Sequence, residues 1–418
     1  MKNLLVVSYL FPPLLSPESL LLLGRVRELA RLGWKITALT IDPRATLELL
    51  DHRLEESLPP HLRVVRTGQA LVPLYALPLP AKIFFKSLTL LGLPEMQFPW
   101  YLYARRPPRR LLDEGGFTAI YSHASHHVSN VVGLALKRFT GLPWVANFSD
   151  PWLDNPYLKF TPFQRPLVRA LEKAIIREAD AVIFVTSQTA DAVMRKYPKE
   201  WRQRVHVIPH GFEAGILKDL DPAPHPRPRL RLVYTGSFYR GRRTPEGLFR
   251  GLQLLQRGRN LAGELEVRLL GPHVPPYQAQ ARSLGLDGVV ACLGPVPFEE
   301  SLKEAAAADV LLVIDAASDG PSLFLPSKLV DYIPFRKPIL GLTPLAGASA
   351  DVLRQLRCPI APPDDPQAIA RAVGTLLDLH HAGRLEVSPA YDAAAGRYDI
   401  RQTTKVLDGI LDKISHKS

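Results

Sequence analysis

At 418 residues, with 46% hydrophobic and 22% charged residues, the chain has a globular make-up, and its length argues for two domains rather than one. No run of about 18 uncharged apolar residues occurs, which argues against a membrane-spanning helix; Cys292 and Cys358 stand far apart without metal-ligand spacing, which fits a reducing cytosol and no structural zinc. Lys and Arg total 52 against 40 for Asp and Glu, and the resulting charge of +12 suits phosphate-bearing partners without choosing among nucleotides, nucleic acid and lipid headgroups.

The apolar run Leu4 to Ser8 predicts a buried first strand, since no small-residue cleavage site follows it to make a signal peptide. A Pro-rich turn leads to leucines at helical spacing over Leu20 to Leu32, and Lys35 to Ile41 reads as the next strand. This strand, helix, strand order is a βαβ unit, which demands a parallel sheet with its ligand-facing loops at the C-terminal ends of the strands. Leu71 to Arg110 is the least regular stretch. One reading is a partly buried helical insertion with a solvated basic end. The other is a patch for an anionic membrane surface, with Phe84, Phe85, Trp100, Tyr101 and Tyr103 at the lipid interface and Arg105, Arg106, Arg109 and Arg110 near phosphates.

Alternation resumes with strands near Ala119 to Ser122, Trp144 to Phe148 and Ala181 to Val185, and helices near Ser129 to Phe139 and Gln164 to Ala179. The stretch Pro209 to Arg229, with its DPAPHPRPR run, is too Pro-rich for a helix or central strand and reads as the interdomain linker. Beyond it come strands Leu230 to Thr235, Leu265 to Leu270, Val289 to Leu293 and Val310 to Ile314. Helices at Thr244 to Gln256, Tyr277 to Leu284 and Glu299 to Ala307 separate them, and helices at Pro366 to Leu379 and Thr403 to Ile414 close the chain. The expected organisation is an N-terminal domain over 1–212, a linker over 213–229, a second domain over 230–395 and a C-terminal helical segment over 396–418 crossing back to the first.

In the second domain, a helix beginning at Lys328 places Lys328 and Asp331 three residues apart on one face. A cation there can meet phosphate while the carboxylate accepts ribose hydroxyls; the plainer reading is a surface ion pair. Gly236 and Ser237 follow a strand and fit a close backbone approach to phosphate, or a simple turn. Gly271 ends the next strand. The segment Gly347 to Ala350, expected to enter a helix at about Asp351, offers N–H groups from Ala348 and Ser349 to phosphate or sugar hydroxyls. In the first domain, His123 lies in SHASHH after a strand, with His126 and His127 as weaker candidates. Glu18 and Ser19 follow a loop carrying Pro12, Pro13 and Pro17. Asp150 lies in SDPW, where binding a substrate and ordering the loop are equal options. His210 and Gly211 fall where a hinge is expected.

Several stretches, in order, resemble glycosyltransferase family 4. They are LPWVANFSDPW at Leu142 to Trp152, ADAVIFVTSQTADAVMRKYP, RVHVIPHGFE, LVYTGSFYRGRRTPEGLFRGL, and LPSKLVDYIPFRKPILGL. The resemblance spans nearly the whole chain. It implies an α/β fold of GT-B type, two Rossmann-like doubly wound domains facing across a cleft, and a retaining transferase that moves a sugar from a nucleoside diphosphate to a glycan, lipid-linked or small-molecule acceptor. Asp331 then stands for the family's ribose-binding glutamate; Leu323 stands where the other member of that E-x7-E pair would fall. Arg243 and Lys328 match the basic pair that cradles the diphosphate, with Arg242 the competitor for Arg243. Val296 and Pro297 resemble the stretch that meets the nucleobase. His123 matches a histidine facing the transferred sugar, and Glu18, Ser19 and Asp150 become acceptor contacts. Ser149 stands where the family often carries arginine. Two cations beside the leaving phosphates can do the work of Mg²⁺, the sequence's one Asp-x-Asp, Asp219 to Asp221, falls in the Pro-rich linker, and so no metal or other cofactor is expected. No nucleic-acid partner is expected, and the location is cytoplasmic or peripheral on the inner membrane face. The alternatives are a sugar-nucleotide epimerase of the same fold and a non-catalytic sugar-nucleotide or polysaccharide-binding subunit.

Overall fold

A computed structural model describes residues 2–46, 48–68, 87, 92–106, 111–112, 115–218, 220, 228–238, 243–318 and 320–416. Its contacts divide the chain into two compact units, one of residues 1–211 with 400–418 and the other of residues 212–399. Phe212 and residues 396–399 thus group with the second unit. The reason is local: the Phe212 N–H bonds the Tyr398 carbonyl at 2.8 Å, and Phe212 bridges Asp399 in parallel fashion. Most of the expected DPAPHPRPR linker lies outside the described residues.

The first unit is built on a seven-stranded sheet. Its strands are β1 (Asn3–Val7), β2 (Lys35–Ile41), β3 (Arg63–Thr67), β4 (Ala119–Ala124), β5 (Trp144–Phe148), β6 (Ala181–Phe184) and β7 (Val205–Val207). They lie in the order β3-β2-β1-β4-β5-β6-β7 with every pairing parallel. Strands β1, β4, β5 and β6 are buried along their whole length, because helices cover both faces and apolar residues predominate, with Ser122, His123 and Asn147 as the polar exceptions inside β4 and β5. The helix Pro17–Arg31 starts on Ser16, whose side chain accepts from the Ser19 N–H, with Pro17 in its first turn; both choices satisfy the unbonded end of a helix. On one face of the sheet Trp100, Trp144, Trp152, Phe148 and Phe184 form the core. On the other, Leu22, Val26, Leu29 and Trp34 meet Leu407, Ile410, Leu411 and Ile414 of the last helix, Ile400–Ser415. Lys2 pairs with Asp408 and Asp412 at 2.8 Å, and Trp34 Nε1 donates to Asp408 at 2.8 Å. Full burial of Leu407 and Leu411 contributes about 2 kcal/mol each.

The second unit carries six parallel strands: β8 (Leu230–Thr235), β9 (Leu265–Leu270), β10 (Val290–Leu293), β11 (Val310–Ile314), β12 (Ile339–Leu342) and β13 (Ile360–Ala361). Their order is β10-β9-β8-β11-β12-β13. Helix Glu246–Leu255 packs on helix Pro366–His381 over one face. Both units are therefore doubly wound α/β, each with the strand order reversing beside its first strand, where ligands bind past the carboxyl ends of the strands.

Candidate functional site

The segments that leave the carboxyl ends of the second unit's strands carry most of the residues singled out from sequence. Gly236 follows β8 and its N–H bonds the Leu270 carbonyl at 2.8 Å; Gly271 follows β9 and bonds the Gly294 carbonyl at 3.2 Å. Gly271 has φ of +139°, and a Cβ placed there would lie 2.0 Å from the Gly236 carbonyl oxygen. Only glycine permits this approach. Ser237 is half-buried and accepts at its carbonyl from the Tyr234 hydroxyl at 3.1 Å. Arg242 lies outside the described residues.

Arg243 reaches the central strand. Its Nη2 lies 3.7 Å from Oδ1 of Asp315, the residue after β11, which is 5% exposed. Thr343, just past β12, donates to Asp315 Oδ2 at 2.8 Å. Burial raises the Asp315 carboxyl above its ordinary range, opposed by Arg243, Ser349 and Thr343. The apolar run Val310 to Ile314 marks the strand but not Asp315, which lies one residue past its end.

Lys328 and Asp331 share the helix Ser327–Tyr332, with Nζ and Oδ2 3.8 Å apart and both side chains partly exposed. Lys328 Nζ also lies 5.6 Å from the Phe298 ring centroid. Burial lifts the Asp331 carboxyl and Lys328 counters it. The same helix is tied to β8 by Tyr332, whose hydroxyl accepts the Thr235 N–H at 2.8 Å. Val296 is half-buried and Pro297 exposed at the start of helix Phe298–Ala306.

The helix expected to start at about Asp351 starts at Ala348. Its first N–H is not open to a ligand, because Ala348 N donates to the Ser322 carbonyl at 2.9 Å, closing a bridge between Ser322 and Gly347. The bridge brings the Ser322 backbone so close that a Cβ on Gly347, at φ of +123°, would sit 2.3 Å from the Ser322 nitrogen. Ser349 is fully buried beside Asp315.

In the first unit, His123 is the last residue but one of β4, and its Nε2 lies 3.0 Å from Glu18 Oε2. Ser149 donates to the same carboxylate oxygen at 2.9 Å. The other His123 nitrogen meets Asn147 Nδ2 at 3.2 Å and the Tyr121 hydroxyl at 3.3 Å, and Arg25 donates to that hydroxyl at 2.8 Å. A carboxylate only accepts and an amide NH₂ only donates, so this setting suits a proton on Nε2. Burial works to raise Glu18, yet the His123 hydrogen bond, the nearby imidazoles and Ser149 hold it at about 2. His210 is buried and neutralised, pushed down to about 4 by desolvation despite Glu18. Asp150, partly open to solvent, is raised to about 7 by the protein atoms crowding its carboxyl and by the Glu18 charge. The Ser19 hydroxyl is buried without a hydrogen-bond partner, at the start of the helix that carries Glu18. Asn147, Tyr121 and Arg25 went unnoticed in the sequence because each reads as an ordinary strand or helix residue until the sheet aligns them.

His126 packs edge-on against Tyr9 at 5.1 Å, and His127 stacks on Trp152 at 4.7 Å. Burial depresses them to about 4 and about 3, so both behave as neutral packing groups. Among the described residues, no group of three or more His, Cys, Asp or Glu is placed to hold a metal ion. Trp100 is no lipid-interface residue, a correction for that position: it is fully buried, donates to Thr67 Oγ1 at 2.8 Å and meets Tyr9 edge to face. Tyr103 is exposed, while Tyr101 stacks on Phe98 and lies under Arg105. Phe84, Phe85, Arg109 and Arg110 lie outside the described residues. Among the described residues no helix is long and apolar enough to cross a membrane.

Residues 22–211 match the family model of the glycosyl transferase 4-like domain. No curated protein matches the chain in sequence. Solved structures similar to it include sucrose-phosphate synthase from Thermosynechococcus elongatus, with TM-score 0.71, 16% identity and all of both chains covered. HepE from Anabaena, crystallised with UDP and glucose, gives TM-score 0.65 at 16% identity over 99% of this chain and 100% of its own. A UDP-N-acetylglucosamine 2-epimerase gives 0.54 at 14% identity over 98% and 94%. At these identities the likenesses speak for the fold, which is GT-B.

Proposed function

We propose that this chain, a glycosyltransferase of GT-B type, moves a sugar from a nucleoside diphosphate held by its second unit to an acceptor held by its first, without a metal. The observation that carries the reading is the arrangement past the carboxyl ends of β8, β9, β11 and β12. There a glycine pair brings two backbones together, and Arg243 is drawn to the central strand by a buried carboxylate. Lys328 and Asp331 present opposite charges from one helical turn. Departure of a nucleoside diphosphate leaves extra negative charge on the phosphates. Arg243 and Lys328 stabilise that charge, doing what a divalent cation does elsewhere. Asp331 accepts the ribose hydroxyls. On the acceptor side Glu18, His123 and Ser149 form one hydrogen-bonded set, and Ser19 and Asp150 supply further polar contacts. His123 faces the transferred sugar and orients it.

The reading extends the resemblance to family 4, from which retention of configuration is also proposed. The departing phosphate itself takes the acceptor proton, so no strong protein nucleophile is required. The family 4-like domain match covers residues 22–211 of the first unit, and HepE, of the same fold, was crystallised with UDP and glucose.

Sugar transfer from a panel of nucleoside diphosphate sugars, first ranked by thermal shift, should proceed undiminished in EDTA. Loss of activity restored by Mn²⁺ would contradict the metal-free reading. The likeness to an epimerase keeps one alternative concrete: incubation with donor alone should leave its sugar configuration unchanged, whereas conversion to an epimer would replace transfer with epimerisation. A second test concerns Asp331 alone. Asp331→Ala should weaken binding of the nucleoside diphosphate roughly tenfold, the value of a good charge-assisted hydrogen bond; unchanged affinity by calorimetry removes its ribose role.

A further inference from the structure

The reading above uses Asp315 only as the carboxylate that draws Arg243 to the central strand, yet it is the most deeply set acid in the second unit's candidate site. It follows the central strand β11, flanked by β8 and β12, and is 5% exposed. Its backbone N–H bonds the Leu342 carbonyl at 2.8 Å, which continues the pairing of β11 with β12 and fixes where the side chain starts. Thr343 donates to Oδ2, leaving Oδ1 directed at Arg243. The ion pair at 3.7 Å is longer than a direct hydrogen bond, so the guanidinium, which also hydrogen-bonds the Tyr234 hydroxyl, is drawn to this carboxylate by attraction and not by a hydrogen bond to it. Breaking a buried pair is costly, because it leaves one charge without its counter-ion in a poorly polarisable surround.

We infer that Asp315 is a positioning residue that competes with the donor's diphosphate for Arg243, drawing the guanidinium onto β11 in the free protein and yielding part of it when phosphates bind. The inference rests on the proposed diphosphate role of Arg243. Two physical consequences follow from the competition. The free site keeps its cation in place instead of letting a long side chain wander, which lowers the ordering cost at binding. Against that, the carboxylate shares the phosphates' ligand, so the nucleoside diphosphate product is held less tightly than an unopposed arginine would hold it. The second effect is the larger, since a fixed charge in a poorly polarisable site acts more strongly than the entropy of one side chain.

The test uses the full chain and inorganic pyrophosphate as the probe, because the nucleobase is not identified. Asp315→Asn keeps the size and the acceptor for Thr343 while removing the charge. It should tighten pyrophosphate binding about tenfold by calorimetry, and lower the donor KM by a similar factor without raising kcat. In an Arg243→Ala background the same substitution should change pyrophosphate affinity by less than twofold, since the effect acts through the arginine. Unchanged or weaker binding by Asp315→Asn overturns the inference, and so does an equal gain with Arg243 absent. If Arg243→Ala itself leaves pyrophosphate binding unaltered, the reading of the site fails first. Should Asp315→Asn not fold, the wild-type protein decides. The Arg243 guanidinium NMR signal, assigned by its loss in Arg243→Ala, should shift on adding pyrophosphate from a restrained to a new environment; a freely rotating guanidinium before addition overturns the inference.

Discussion

Alanine at Lys328 or at Arg243 is expected to lower the turnover of sugar transfer by tenfold or more, about 1.4 kcal/mol of transition-state stabilisation for each. The effect should fall on kcat more than on KM, because charge on the leaving phosphates grows as the bond to the sugar breaks, and only interactions that strengthen then speed the step. Each cation sits about 4 Å from a carboxylate, Lys328 by Asp331 and Arg243 by Asp315, so each is held in place before the donor arrives. The double variant should lose less than the product of the two single losses, since both act on one leaving group. Turnover near the wild-type rate for either variant, with unchanged circular dichroism, would sink the cationic leaving-group model.

The second large effect is expected at a residue with no side chain. Gly271→Ala places a methyl 2.0 Å from the Gly236 carbonyl oxygen, at a φ of +139° that alanine resists. Strain and displacement together cost about 4 kcal/mol, a large part of the stability of a domain. The melting temperature of the second unit should fall by about 10 °C. Donor affinity should fall with it, because the segment carrying Gly236 leads on to Arg243. A melting temperature within a degree or two of wild type would show that the two backbones separate easily, and would remove the close approach from the account of the site.

How far the sequence led can be judged from particular residues. Central strands were plain: Lys35 to Ile41, Trp144 to Phe148, Leu230 to Thr235, Leu265 to Leu270 and Val310 to Ile314 were read with the bounds the structure gives them. Most of their residues are buried, so apolar side chains predominate, though Asn147, Arg231, Glu266 and Arg268 interrupt the runs. The edges were not plain. β3 is RVVRT with one exposed and four half-buried residues, β7 is three residues long and β13 two. Such strands bury little and look like loops. Trp100 misled for a related reason, since aromatic residues beside arginines look the same in sequence whether they face lipid or fill a core. The site divided in the same way. Lys328 and Asp331 were paired by helical spacing alone, whereas Asp315, Thr343 and Tyr332 are joined to their partners only by the order of strands. The N–H of Ala348 was offered to a ligand in the sequence reading and is taken by Ser322 in the fold, a contact between residues 26 positions apart.

The last helix, Ile400–Ser415, lies in the first unit although the whole of the second precedes it in the chain. Synthesis runs from the N-terminus, so Leu22, Val26, Leu29 and Trp34 are made long before the residues that cover them. Until the last helix leaves the ribosome, the apolar face that the helix Pro17–Arg31 offers it stays uncovered, and the second unit has every residue it needs to fold first. The nascent first unit therefore keeps Leu22, Val26, Leu29 and Trp34 without their cover until the sixteen residues of Ile400–Ser415 have been made.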